Sequence, residues 1–149
     1  MKALLQRVSW AAVSVDGEIV GRIGPGLLVF VGVAAGDSEK DGQYLAQKAI
    51  GLRIFADDEN RFNQSVLDIE GELLLVSQFT LLADTRKGRR PSFIEAAPPK
   101  QAEELFESLV SQVRTSSLKV ETGRFQQHML VEMENDGPVA IMLDSREKF

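Results

Sequence analysis

The sequence predicts an α+β domain, mostly antiparallel, whose sheet curls toward a barrel and carries about two main helices. Three observations point there. The first third reads as a meander of strands, one segment after Pro98-Pro99 has a clear helical period, and the strand–helix–strand alternation of a doubly wound sheet is missing. The 149 residues are 44% hydrophobic and 26% charged, so the span 1–149 is expected to form one domain with its own core.

Ala3 to Val8 and Ala12 to Val15 read as strands, and Asp16-Gly17 supplies the tight turn from which Glu18 to Ile23 returns. After Gly24-Pro25-Gly26, the run Leu27 to Val33 is apolar on both faces and belongs at the centre of a sheet. Asp37 or Ser38 can cap a helix reaching about Gly51, with Leu45, Ala49 and Leu52 on one stripe. Ile54-Phe55 and Leu73 to Val76 read as strands flanking the polar loop ADDENRFNQSV. Pro98-Pro99 opens a second helix in which Ala102, Leu105, Phe106, Leu109, Val110 and Val113 recur at the 3.6-residue period. The last segment, MLVEMENDGPVAIML, reads as two strands joined by a turn at Asn135 to Pro138.

Several chemistries are excluded by residue counts. Cysteine is absent, which removes disulfides, thiolate metal sites and thiol nucleophiles, and His128 is the single histidine, so no His pair can hold a metal. A Ser-His-Asp triad would depend on His128, which has no nucleophile elbow near it. No Walker A or dinucleotide fingerprint occurs, and no cofactor is expected. The opening residues lack a signal-peptide pattern and no apolar run is long enough for a bilayer, so a cytoplasmic protein with no membrane partner is expected. The net charge of −5 argues against non-specific coating of nucleic acid, yet Arg86, Lys87, Arg89 and Arg90 concentrate cations within five residues.

Two local oddities survive: Ser77-Gln78-Phe79-Thr80, where an apolar strand opens into that basic loop, and Asn135-Asp136-Gly137-Pro138-Val139 near the end. Where a strand opens, backbone N–H groups lose their ladder partners and become free to bind a developing oxyanion. Thr80 invites a nucleophilic role, but no base is evident beside it, which favours positioning.

VSQFTLLADT followed by KGRRPSF, then TGRF at Thr122 to Phe125 and VEMENDGPV, resembles the D-aminoacyl-tRNA deacylase family, and the likeness runs nearly the whole chain. The resemblance implies hydrolysis of the ester linking a D-amino acid to the terminal adenosine of tRNA, with glycyl-tRNA also accepted and L-aminoacyl-tRNA rejected. It implies that Ser77 and Gln78 orient the adenosine and its ribose, that the Phe79 and Thr80 N–H groups form the oxyanion site, and that the substrate's 2′-hydroxyl participates. It further implies a homodimer in which a cis Gly137-Pro138 dipeptide reaches into the partner's active site, with Arg7 holding the dipeptide's carbonyls and Phe125 and Met129 lining or supporting the pocket. Arg86, Lys87, Arg89 and Arg90 would touch phosphates near the acceptor end. Ala140 departs from the family's usual Gly-Pro-Val-Thr, and Gln126-Gln127-His128 replaces its usual small residues. Two other readings are a non-catalytic nucleic-acid module, which lacks interleaved aromatics, and a general ester or peptide hydrolase, which lacks an activated nucleophile.

Overall fold

The computed structural model describes residues 1–147. Its strands are β1 (Lys2–Val15), β2 (Glu18–Ile23), β3 (Gly26–Gly32), β4 (Phe55–Ala56), β5 (Phe62–Gln64), β6 (Glu72–Ser77), β7 (Val120–Thr122) and β8 (Leu130–Asp144). The helices are α1 (Glu39–Gly51) and α2 (Pro99–Arg114), with 3₁₀ turns at Phe79–Leu82 and Ser145–Glu147.

The α+β class and the two helices agree with the sequence reading, but the sheet is mixed rather than mostly antiparallel. Its order is β2-β1-β3-β6-β7, with β8 also paired to β1, and both β3–β6 and β6–β7 are parallel. Each parallel pair is bridged by a helix, α1 in the first case and α2 in the second, so two strand–helix–strand crossovers do exist. The apolar run of β3 carried that information, since parallel strands are covered on both faces. Leu73 and Leu75 pack toward α1 and α2 with Leu27 and Val29, while Leu74 and Val76 turn the other way against Val8, Val13 and Leu28 inside the curl. The curl nearly closes: a Cβ added to Gly21 on β2 would stand 2.9 Å from the Thr122 carbonyl oxygen on β7.

Two strand boundaries also differ from expectation. Ala3–Val8 and Ala12–Val15 are parts of one strand, whose first half pairs with β3 and whose second half pairs with β2. The less regular middle at Ser9-Trp10 is where β1 changes neighbour. Likewise Asn135 to Pro138 is no hairpin turn, because both halves of β8 pair antiparallel along the same edge of β1. Between the pairs Val8↔Asn135 and Gln6↔Ala140, the stretch Asp136 to Val139 bulges out opposite Arg7 alone.

The helix signals read correctly. Ser38 is the N-cap of α1 and its N–H donates to the Asp41 carboxylate at 2.9 Å. In α2, Phe106, Leu109, Val110 and Val113 are buried and Pro99 occupies the first turn. Asp37 is buried just before α1, where its carboxylate meets the Met1 ammonium at 2.7 Å and accepts the Ala34 N–H at 2.6 Å. Among the described residues no helix is long and apolar enough to cross a membrane.

Candidate active site

The parallel pair β3–β6 ends in step, with Ser77 opposite Val31, and the Gln78 N–H still donates to the Val31 carbonyl at 2.7 Å. There the ladder stops. Phe79 to Leu82 wind into a 3₁₀ turn whose first internal bond is Leu81 N–H to the Gln78 carbonyl, at 3.2 Å. The Phe79 and Thr80 N–H groups precede that bond and have no acceptor among the described residues, as the opening of such a turn requires. The Gln78 side-chain amide donates to the Thr80 hydroxyl, so the strand-to-loop junction also ties its own polar side chains together.

A cavity of about 570 Å³ opens at this junction. Ser77, Gln78 and Phe79 form one wall, Phe125 to Met129 a second, and Ala96, Ala97, Pro99 and Ala102 a third, over an apolar floor of Val33, Val76 and Val131. The third wall is held by the Ala97 N–H, which donates to the Val33 carbonyl at 3.0 Å. The second depends on Gly123, where a Cβ would lie 2.5 Å from the Met129 sulfur, and on the Arg124 N–H, which donates to that sulfur at 3.4 Å. Phe79 is exposed at the mouth and meets Phe93 edge-on, with centroids 5.0 Å apart.

The structure therefore brings Ser77, Gln78, Phe79, Phe125 and Met129 into one cavity, with Thr80 one residue beyond its lining. Sequence reasoning missed the alanine wall, whose small side chains leave room without any motif to announce it. Gln126, Gln127 and His128, which stand where the resemblance leads one to expect small residues, also line the cavity. Among the described residues, His128 is the single titratable side chain lining it, and no cluster of three or more His, Asp or Glu could hold a metal.

Arg7 and Gly137-Pro138 form a second constellation. The Gly137-Pro138 peptide bond is cis, Gly137 has φ +139°, and Asp136, Gly137 and Pro138 are exposed. Asn135 closes the neck of the bulge, accepting the Val139 N–H at 2.7 Å and donating to the Val139 carbonyl at 3.1 Å. Arg7 is no free strand cation. Its side chain is only 13% exposed, its Nε donates to the Asp136 carbonyl and its Nη1 to the Ile54 carbonyl, both at 2.9 Å, and it lies 5.4 Å above the Phe62 ring. Arg7 is aligned with Leu27 on β3, whereas Ser77 is aligned with Val31. Four residues of strand, ~13 Å, thus separate this constellation from the cavity along the sheet.

The basic segment leaves the 3₁₀ turn and returns to Phe93 as a loop closed by Asp84 and Ser92, whose backbones exchange hydrogen bonds at 2.8 and 2.9 Å. Arg86, Lys87, Arg89 and Arg90 are all exposed. Arg86 folds back on Asp84, with Nε and Nη2 donating to its two carboxylate oxygens at 2.9 and 2.8 Å. The hydrogen bonds from Arg86 hold the Asp84 carboxyl down at about 2. Lys87, Arg89 and Arg90 make no ion pair among the described residues.

Comparison with known proteins is consistent across sequence and fold. Residues 4–144 match the family model described as D-Tyr-tRNA(Tyr) deacylase. The chain is 57% identical over 148 residues to a D-aminoacyl-tRNA deacylase of Dehalococcoides mccartyi, covering 99% of this chain and 97% of that one. It is 55% identical over 149 residues to a D-aminoacyl-tRNA deacylase of Kosmotoga olearia, covering 100% of both. Among solved structures, one described as c-Myc DNA Unwinding Element Binding Protein superposes with a TM-score of 0.91 at 39% identity, covering 97% of this chain and 98% of that one. A probable eukaryotic D-amino acid tRNA deacylase shares the fold, with a TM-score of 0.83 at 18% identity and coverage of 95% and 97%.

Proposed function

Since the chain belongs to the D-Tyr-tRNA(Tyr) deacylase family and is a hydrolase of D-aminoacyl-tRNA, we propose that it works as a homodimeric chirality proofreader in the cytoplasm. In this reading the Gly137-Pro138 bulge of one subunit enters the cavity of the other, excludes L-aminoacyl groups, and leaves glycyl-tRNA mischarged on tRNA(Ala) as a further substrate. The observation that carries it is the position of the bulge, exposed and fastened by Arg7 and Asn135 yet standing at the other end of β3 from its own chain's cavity. A loop so firmly held, with nothing of its own chain to serve, is suited to a partner's site.

The chemistry assigned to the cavity needs little from side chains. Ser77 and Gln78 place the terminal ribose and adenosine, Phe125 and Met129 flank them, and the substrate carbonyl points at the Phe79 and Thr80 N–H groups. Those donors stabilise the oxyanion as water bonds to the carbonyl carbon. The ester C–O bond then breaks, the ribose oxygen takes up the proton, and free D-amino acid and tRNA leave. The neighbouring 2′-hydroxyl of the substrate assists that proton movement, which suits a Thr80 hydroxyl whose near partner is an amide rather than a base. Backbone carbonyls from the partner's bulge receive the α-amino group and occupy the space an L side chain needs. Glycine has no side chain to exclude.

The test pairs D-tyrosyl-, L-tyrosyl- and glycyl-tRNA with purified protein in the presence of a chelator, following ester loss. Hydrolysis of the D and glycyl esters with sparing of the L ester is expected. Shared sites are tested by mixing two weakened chains, Gln78→Ala and Gly137→Val. Hybrid dimers regain one intact site if the bulge acts across the interface and none if it acts within its own chain. Failure of the mixture to recover activity overturns the cross-subunit assignment.

A further inference from the structure

The four cations of the basic loop are not equivalent in the structure. Lys87, Arg89 and Arg90 project from it without an ion pair among the described residues, whereas the Arg86 guanidinium spends both arms of its fork on Asp84. Asp84 also accepts the Arg86 backbone N–H at 3.1 Å, and its own backbone N–H and carbonyl close the loop against Ser92. One carboxylate therefore joins the root of the loop to its first cation by side-chain and main-chain bonds together. Gly88, with φ +64°, turns the chain between Lys87 and Arg89. Both ends of the loop are rooted at the cavity mouth, since Asp84 follows the turn that begins at Phe79 and Ser92 precedes the Phe93 ring that meets Phe79.

We infer that Lys87, Arg89 and Arg90 are the phosphate ligands of this loop and that Arg86 is not one of them. Arg86 is a positioning residue, latched by Asp84 so that the other three are presented in one orientation beside the cavity. The inference rests on the reading of the substrate as aminoacyl-tRNA and refines how its acceptor end is captured. A planar bidentate pair fixes direction as well as distance, which a lone ammonium cannot do. Holding the loop ready before the tRNA arrives spares the ordering cost at the moment of binding.

Substitution of Asp84 separates the latch from the alternative by sign. If Arg86 contacted phosphate, Asp84→Asn would free it and remove a repelling carboxylate, and tRNA capture would tighten. As a latch component, Asp84→Asn instead raises KM for D-tyrosyl-tRNA by roughly threefold to tenfold with little change in kcat. Arg86→Gln is expected to do the same, and the double variant to be no worse than either single one, because one device has been lost in all three. Arg86→Lys, which can reach a carboxylate oxygen without the fork, restores part of the loss.

Salt provides the second readout. Arg89→Gln and Arg90→Gln each lower the slope of log affinity against log salt by about 0.7 to 0.9, while Arg86→Gln leaves it unchanged. Far-UV circular dichroism confirms that every variant is folded, as expected for an exposed loop. Tighter capture by Asp84→Asn, or a slope loss in Arg86→Gln equal to that in Arg89→Gln, overturns the latch. Wild-type capture without salt dependence overturns the phosphate role of the loop. Absence of D-tyrosyl-tRNA hydrolysis by the wild type in the same assay instead overturns the proofreading assignment.

Discussion

Removing Arg7 tests the link between sheet and bulge most directly. Arg7→Ala deletes two hydrogen bonds from a cation to carbonyl oxygens, Asp136 and Ile54, each 2.9 Å long, and a cation–π contact with Phe62. A hydrogen bond to a charged group is worth about 1.5–3 kcal/mol where it is shielded. The two are unequal. Asp136 is exposed and its carbonyl can take water in place of the guanidinium, which puts that bond at the bottom of the range or below it. Ile54 is buried, so its carbonyl is left poorly served and the loss there sits nearer the middle. The cation–π contact adds about 0.5–1 kcal/mol, and the looser approach to the exposed Asp136 carboxylate, at 3.9 Å, adds little. The expected cost is about 3–5 kcal/mol, or roughly 6–20 °C in Tm for a chain of this length. Arg7→Lys, able to keep one bond, is expected to lose about half as much. Urea unfolding at fixed protein concentration measures the stability, and the ratio of D- to L-tyrosyl-tRNA hydrolysis measures the bulge. A lower D-to-L ratio should accompany the lost stability. Wild-type stability in Arg7→Ala, or equal behaviour of the Lys and Ala variants, would refute the assignment of Arg7 as the fastening of the bulge.

Other outcomes follow from the same geometry. Asp37→Ala removes the counter-charge of the buried Met1 ammonium, leaving it the Ser145 hydroxyl, and the acceptor of the Ala34 N–H, and should lower stability by about 3–5 kcal/mol in thermal or chemical unfolding. Thr80→Ser is expected to be nearly silent in turnover, whereas Thr80→Ala should slow it by about 10- to 100-fold through one lost positioning bond; an acyl group trapped on Thr80 would replace that account with a covalent one. Asp84 titrates at about 2 in the folded chain, below its ordinary value of 3.8, so its contribution is complete above 3.8 and fades as pH falls through about 2. In Arg86→Gln the Asp84 titration, followed by carboxyl NMR, should move up toward 3.8.

The parts of the fold that show in the sequence are those with a local cause. Asp16-Gly17 turns the first hairpin because both residues adopt positive φ, 50° and 79°, and the stripe Phe106, Leu109, Val110, Val113 buries as its period requires. Strand direction is not local. Nothing in Leu73 to Val76 states that its neighbour runs parallel, and only the double-sided burial of β3 and β6 hints at it. The site divides in the same way. Ser77 to Thr80 stand out because polarity interrupts an apolar run, and Gly123 and Phe125 because they belong to a motif. The alanine wall has neither signal, and Arg7 looks like any strand cation until the bulge opposite it is known. Asn135 to Pro138 read as a hairpin turn because turn chemistry and bulge chemistry draw on the same residues, and only the register with β1 separates them.

That register has a consequence for how the bulge can change. From the pair Trp10↔Glu134 to the pair Gln6↔Ala140, β1 advances four residues and β8 six: the detour opposite Arg7 inserts three and the offset at Ser9 takes one back, a net of two. An even insertion is silent to a pleated strand: Leu130, Glu132 and Glu134 are exposed before it, and Ala140 and Met142 after it, on the same parity. The detour is thus a cassette that can be shortened or lengthened in steps of two while the strand beyond it keeps its inward and outward sides. A step of one carried along the pleat, and not taken up by a bulge, would turn Val139, Ile141 and Leu143 away from the core they now pack against and bring Ala140 and Met142 in. A change of two in this loop therefore leaves the inward and outward sides of the sheet that carries it as they are.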